Sequence, residues 1–320
     1  MTTSTTATPA TPRKPRALAR GDRIAVVAPA SPFNRDEFDA GIAELRRLGF
    51  DPVYDDSVFA RKRYVAGEAA LRAAALRAAW RDPSIAGVIG VRGGYGSAQL
   101  LPLLDVDEMR DHCKVFVGYS DLTALLTFFT TTLGMVAFHG PMLAGRLGGG
   151  AARYDEQSFI GALCRREPMG ELSAPGLEAI RAGEAGGVLL GGTMTQLLAS
   201  LGTPHAFDPP QGYVLFLEEV GERPYRLDRM VTQLTHAGLL AQASAVVVGE
   251  LPRCDEPSGD PTARDVMRDL FEDFPGPVLL GFPSGHTAGP AITLPLGVRA
   301  RVVAPSKGQP KLVIEESAVE

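Results

Sequence analysis

Along the first 140 residues, short apolar runs alternate with segments of helical period. After Gly21-Asp22, IAVVAPASPF is a β-branched run that empties into Pro and Ser, the pattern of a buried strand leading into a loop. In RDEFDAGIAELRRLGF, Phe38, Ile42, Leu45 and Leu48 recur at three- and four-residue steps until Gly49, which predicts an amphipathic helix with a glycine stop. DPVYDD, AGVIGV and KVFVGYS read as further strands, separated by helices over about Glu68–Arg81 and in AQLLPLLD. Such alternation builds a parallel sheet covered by helices. From Ser120, DLTALLTFFTTTL predicts a helix and MVAFHGP a short strand.

The pattern then changes. RLGGGAARY is glycine-rich and predicts a mobile or linking stretch, with a boundary between about 148 and 186. The second half carries GVLLGG, YVLFLEE, SAVVVGE, PVLLGF, ITLPLGVRARVV and KLVIEE, strand-like runs punctuated by Gly and Pro, with one amphipathic helix at Tyr225–Leu240. The fold class expected is α/β: an N-terminal parallel-sheet α/β domain carrying a nucleophile elbow (18–150), a linker (151–185) and a β-rich C-terminal domain (186–320). The Thr- and Pro-rich start of the chain, residues 1–17, reads as a disordered tail without the apolar segment of a secretion signal.

Composition narrows the function classes. The chain has 320 residues, 45% of them hydrophobic, enough for an extensive core. A net charge of -5, with no basic stripe beyond Arg13–Arg16, removes the electrostatic basis for binding a phosphate backbone, so nucleic acid is not an expected partner. Cys113, Cys164 and Cys254 are odd in number and lack CxxC spacing, which indicates neither a disulfide framework nor a zinc site; no metal is expected. No apolar run approaches the roughly 18 to 20 residues that span a bilayer, so a cytoplasmic protein without membrane association is expected.

The sharpest chemical feature is V-F-V-G-Y-S-D-L-T, where a buried strand runs into Ser120 and a helix begins at once. Such a turn exposes the seryl oxygen and aims the first free helix amides at whatever the serine attacks. The same position suits a plain helix N-cap, and Asp121-Leu122 departs from G-x-S-x-G. A serine nucleophile needs a base. Of five histidines, His112 and His236 sit at helix ends and His205 in a proline-rich loop, whereas His286 stands in the flexible F-P-S-G-H-T-A-G loop between strands. His139, at a strand end, is the reserve, or a pocket wall or substrate contact. A carboxylate that fixes the imidazole is offered by YVLFLEEV, where period-2 alternation sends Glu218 and Glu219 to opposite faces; Glu218 is preferred. The turn V-R-G-G-Y-G-S-A-Q admits a dinucleotide reading through Gly94-Tyr95-Gly96, but Gln99 stands where the third glycine belongs. Otherwise Gly93 and Gly94 bring bare amides to an oxyanion, with Arg92 beside them for an anionic substrate group.

Taken together, GDRIAVVAPASP, VRGGYGSAQLLPLLD, VFVGYSDLTALL, FHGPM, LFLEEVGERPYRLDRMVTQL and GFPSGHTAGPAITLPLG resemble the LD-carboxypeptidase family of serine peptidases over about residues 20 to 312. Beside the oxyanion hole read at Gly94 and Asp121 and the substrate contacts read at Arg92, Gly93 and His139, the resemblance implies a Ser120–Glu218–His286 triad. It implies no cofactor, a homodimer, and a small peptide or muropeptide substrate from which terminal D-alanine is removed. One branch of the family instead resembles microcin self-immunity peptidases, which hydrolyse aminoacyl-adenylate-like toxins. A departure stands at LLGGTMTQLL, where Thr193 occupies a place the family gives to Asn. A non-catalytic binding protein on the same scaffold is the remaining alternative.

Overall fold

The computed structural model describes residues 12–320. Its first sheet contains β1 (Arg23–Val27), β2 (Asp51–Val53), β3 (Ile85–Gly90), β4 (Val115–Gly118) and β5 (Ala137–His139), parallel in the order β2-β1-β3-β4-β5. Apart from the edge strand β2, these strands are buried along most of their length, which is why they read as continuous apolar runs rather than alternating ones.

The second half is strand-rich. β6 (Gly170–Leu172), β7 (Glu178–Arg181), β8 (Gly183–Thr193), β9 (Tyr213–Glu218), β10 (Ala243–Gly249), β11 (Val278–Phe282), β13 (Arg299–Ala304) and β14 (Lys311–Ile314) form one sheet ordered β6-β14-β13-β8-β9-β10-β11-β7. Its centre, β8-β9-β10-β11, is parallel, and its rims are antiparallel. The run ITLPLGVRARVV splits: β12 (Leu294–Leu296) returns to the first sheet, antiparallel to β5, while β13 stays in the second. Pro295 cannot donate to a ladder, and β12 lies on a sheet edge where none is demanded of it.

Alternation along β9 shows how the layers share a core. Val214 and Phe216 pack into the cluster that includes the first sheet, whereas Tyr213, Leu215 and Leu217 belong to a second cluster with the helix Pro224–His236. The same period carries on into Glu218 and Glu219 and decides where each carboxylate goes.

Several segments differ from expectation. Of the stretch expected as a tail, residues 1–11 lie outside the described residues. From Arg13 the chain is fastened, Arg13 N to Gly134 O at 2.8 Å and Ala17 N to Glu320 O at 2.8 Å. The expected linker 151–185 instead forms the helix Glu156–Cys164 and strands β6 and β7, because Phe159 and Leu163 supply an apolar face that buries against the core. AQLLPLLD is a 3-10 segment, Ser97–Leu103, with Pro102 inside it in place of a regular helical donor. The helix after Ser120 starts as a 3-10 turn (Ser120–Leu122), becomes α over Thr123–Thr127 and widens to a π-turn over Phe128–Thr132.

Trp80, the sole tryptophan, is buried against Phe129 with ring centroids 4.6 Å apart and donates from Nε1 to Met109 O at 2.9 Å. Trp80→Ala is expected to lower the unfolding free energy by roughly 3 to 5 kcal/mol. Urea titration followed by circular dichroism checks this, and an unchanged midpoint would show that the contact does not support the first sheet.

Candidate active site

Ser120 follows directly on Tyr119, at the carboxyl end of β4, and adopts φ +61°. A left-handed backbone at a non-glycine residue is strained, and such strain persists only where the surroundings over-determine it. Here the turn is tied on its far side. The Asp121 carboxylate accepts from Gly96 N at 3.3 Å and Ser97 N at 2.8 Å, and Asp121 O accepts from Ser97 Oγ at 2.6 Å. The Gly-rich turn is thereby fixed against the serine turn. The amides that a phosphate would need at the start of Ser97–Leu103 are consumed by Asp121, which weighs against the dinucleotide reading.

That turn approaches Ser120 closely. A Cβ at Gly93 would lie 3.1 Å from Ser120 Oγ and 3.2 Å from Asp121 N. Gly94 has φ +95°, and a Cβ there would meet Ser31 Oγ at 2.5 Å, so only glycine fits. Among the described residues, the amides of Gly93, Gly94 and Asp121 donate to no protein acceptor. Buried Arg72 holds the turn from behind, donating to the carbonyls of Pro29, Gly67 and Gly96 and to Gln99 Oε1. Arg92 is exposed, with no ion pair or hydrogen bond among the described residues.

Glu218 ends β9 with no exposed surface, on the face shared with Phe216. Its Oε2 accepts from His286 N at 2.9 Å and His286 Nδ1 at 2.7 Å, and its Oε1 accepts from Thr193 Oγ1. Burial by itself would raise its pKa. The charge and hydrogen bond of His286, with His139 and Thr193, outweigh burial and hold the carboxyl down to about 2. An ionised Glu218 fixes the Nδ1–H tautomer of His286 and leaves Nε2 as the basic nitrogen. Gly285, with φ +70°, gives room for this pairing: a Cβ there would lie 2.7 Å from His139 Cε1 and 2.8 Å from Glu218 Oε2.

Glu219 takes the opposite face. It is buried there and accepts from Thr195 N at 2.9 Å, Thr195 Oγ1 at 2.7 Å and Val220 N at 3.0 Å, capping the helix Met194–Ser200. His139, expected to touch substrate, has no exposed surface. Its ring lies behind Glu218, with Nδ1 3.1 Å from Ser284 Oγ and its centroid 5.0 Å from Phe216. Burial, with His286 acting in the same sense and Glu218 opposing, pushes its pKa down to about 4. His112, His205 and His236 take no part in the network around Glu218.

The serine turn and the imidazole meet through Tyr119, whose ring lies edge-on to His286 with centroids 5.1 Å apart. Among the described residues Ser120 Oγ has no hydrogen bond to the imidazole, and nucleophile–base bonds commonly close only with substrate in place. No group of three or more His, Cys, Asp or Glu side chains among the described residues is arranged to hold a metal ion, and no described helix is long and apolar enough to cross a membrane. A positive-φ serine after a parallel strand, free amides beside it and a carboxylate-bound imidazole are the parts of a serine hydrolase.

The chain belongs to the LD-carboxypeptidase family: residues 24–140 match the family's N-terminal domain and residues 186–302 its C-terminal domain. It is accordingly a serine-type carboxypeptidase, a hydrolase. A putative carboxypeptidase of Streptomyces coelicolor is 41% identical over 289 residues, covering 89% of this chain and 91% of that protein. A murein tetrapeptide carboxypeptidase of Pseudomonas aeruginosa is 32% identical over 273 residues, covering 83% and 88%. Among solved structures, the microcin C7 self-immunity protein MccF superposes with a TM-score of 0.86 at 24% identity, covering 97% of this chain and 100% of that one, a likeness of fold.

The low pKa of His139 has a thermodynamic consequence. Unfolded, this imidazole takes a proton near 6.5; folded, it stays neutral down to about 4. Between those values the unfolded chain binds more protons, so stability falls as pH falls through that window, by about 2 kcal/mol between pH 7 and pH 5. At lower pH Glu218 adds a loss of the same sign, because its stabilising contribution is complete above its unfolded value of 4.5 and disappears as pH approaches 2. Urea midpoints at pH 7 and pH 5 should differ in the native protein and converge in His139→Gln. Parallel pH dependence in both would contradict a neutral buried His139.

Proposed function

We propose that the chain removes the terminal D-alanine from murein tetrapeptides, with Ser120 as nucleophile, His286 as general base and Glu218 as the acid that orients it. One observation carries the reading. A fully buried carboxylate grips both the backbone and the ring of His286, beside a turn that presents Ser120 at positive φ. The name of the Pseudomonas relative supplies the substrate class.

In this mechanism Ser120 Oγ attacks the carbonyl carbon of the penultimate residue while its proton passes to His286 Nε2. The resulting imidazolium is stabilised by Glu218. Negative charge on the former carbonyl oxygen is received by the amides of Asp121 and of Gly94 or Gly93, at roughly 3 to 4 kcal/mol per donor. His286 then gives its proton to the departing amine, and D-alanine leaves. A water deprotonated by the same nitrogen attacks the acyl-enzyme and restores Ser120. Unpaired Arg92, on the turn that abuts Ser120, is assigned to the substrate carboxylate. A homodimer acting in the cytoplasm completes the reading; it rests on the family resemblance and on three free cysteines.

Incubation with a diaminopimelate-containing tetrapeptide, followed by mass spectrometry, should show loss of one alanine. The rate should fall roughly 10⁴-fold or more in Ser120→Ala and be unaffected by EDTA. A fluorophosphonate should label the native protein and not the variant. Hydrolysis of an aminoacyl-adenylate analogue with no action on the tetrapeptide would assign the chain to the microcin-immunity branch, and undiminished turnover by Ser120→Ala would remove the nucleophile from the scheme.

A further inference from the structure

Arg146 lies in the glycine-rich stretch whose composition predicts a mobile or linking segment, yet its side chain is only 5% exposed. Its guanidinium donates to four carbonyls: Nη1 to Arg153 O at 2.9 Å and Gly289 O at 2.9 Å, Nη2 to Gly285 O at 3.0 Å and Thr287 O at 2.6 Å. No carboxylate pairs with it among the described residues. A buried cation without a counter-ion is costly unless its donors are satisfied, and here backbone oxygens do this. Three of the four belong to the loop that carries His286, and two flank that residue directly.

The same loop is held from other sides by carboxylates. Glu218 takes His286 N, and Glu250 takes the Thr287 hydroxyl and Ala288 N at 2.9 Å. Carboxylates grip its donors and Arg146 its acceptors, so the loop backbone has little freedom to tilt. Lysine, a single point of charge on a flexible stem, cannot reproduce a planar fork that spans four oxygens.

We infer that Arg146 is a positioning residue of the hydrolytic reaction: by clamping the carbonyls on both sides of His286 it sets the direction in which the imidazole meets the serine turn. The inference rests on the reading of His286 as the base. Displacement of a reacting group by about an ångström costs on the order of a hundredfold in rate. Arg146→Lys and Arg146→Ala should therefore lose roughly a hundredfold in kcat with little change in KM. Guanidinium chloride at sub-denaturing concentration should restore part of the kcat of Arg146→Ala.

The experiment measures kcat, KM and fluorophosphonate labelling rate for both variants, with His286→Ala in parallel and folding verified by circular dichroism. Arg146→Lys keeps the positive charge and serves if the alanine variant does not fold. Folded variants with native kcat, beside an inactive His286→Ala, would overturn the role of Arg146 alone. A loss confined to KM, or no rescue by guanidinium, would do the same. An active His286→Ala would overturn the base reading and this inference with it.

Discussion

The Glu218 carboxylate, ionised with no exposed surface, is the constraint around which the site is arranged. A lone charge in that position would cost several kcal/mol, so every donor around it is obligatory: the His286 amide, the His286 ring and the Thr193 hydroxyl. Each comes from a different direction. Thr193 closes β8, Glu218 closes β9, and His286 sits in the loop between β11 and β12. Since β12 pairs with β5 of the first sheet, satisfying the carboxylate also sets how the two sheets meet. The energetic demand of one buried charge thus becomes a geometric demand on the interface. Behind it the rings of Phe216, His139 and Tyr119 form a wall of low polarity that keeps the charge interaction strong.

Much of the first sheet is legible in the sequence because its signals are local. A parallel strand buried on both faces announces itself as a short apolar run, and Phe38, Ile42 and Leu45 repeat at helical spacing on the face that is buried. The failures have a common origin in tertiary burial. Glu156–Cys164 lies in a stretch expected as linker, and Phe159 and Leu163 have meaning only against the core they meet. ITLPLGVRARVV reads as one strand, and nothing in its pattern shows that its halves join different sheets. The helix Ala263–Phe271 is legible in principle, from Thr262 as N-cap and its strong apolar face, but the Pro- and Asp-rich stretch ahead of it masks the signal.

At the site, period 2 along YVLFLEEV is enough to separate two adjacent glutamates, and Glu218 is the one facing His286. Period says which residues share a face; it does not say what covers that face. Glu219 therefore emerges as a buried helix cap, and His139 as a support lying behind the carboxylate. Both arginines that brace the site, Arg72 and Arg146, are illegible for a sharper reason. All four partners of Arg146 and three of the four of Arg72 are backbone carbonyls, scattered over sequence separations of up to 143 residues. A residue recognised only by main-chain oxygens leaves no complementary letter anywhere in the sequence.

Thr193 becomes intelligible once its neighbours are known. Its hydroxyl gives its only proton to Glu218, so it can only receive from other groups, and Thr123 Oγ1 lies 3.4 Å away on the acceptor side. Thr193 N donates in turn to Thr123 Oγ1 at 3.2 Å. Thr123 is three residues beyond Ser120 and opens the α-helical part of the segment that follows it. A line of hydrogen bonds therefore runs from the serine segment through two threonines to the carboxylate, and from there to the imidazole. An asparagine at 193 would bring a second side-chain donor where this arrangement uses one donor, to Glu218, and one acceptor, from Thr123. The threonine suits a site in which the partner is another hydroxyl, so residues 123 and 193 have to be understood as a pair, joining the segment that carries Ser120 to the strand end that carries Glu218.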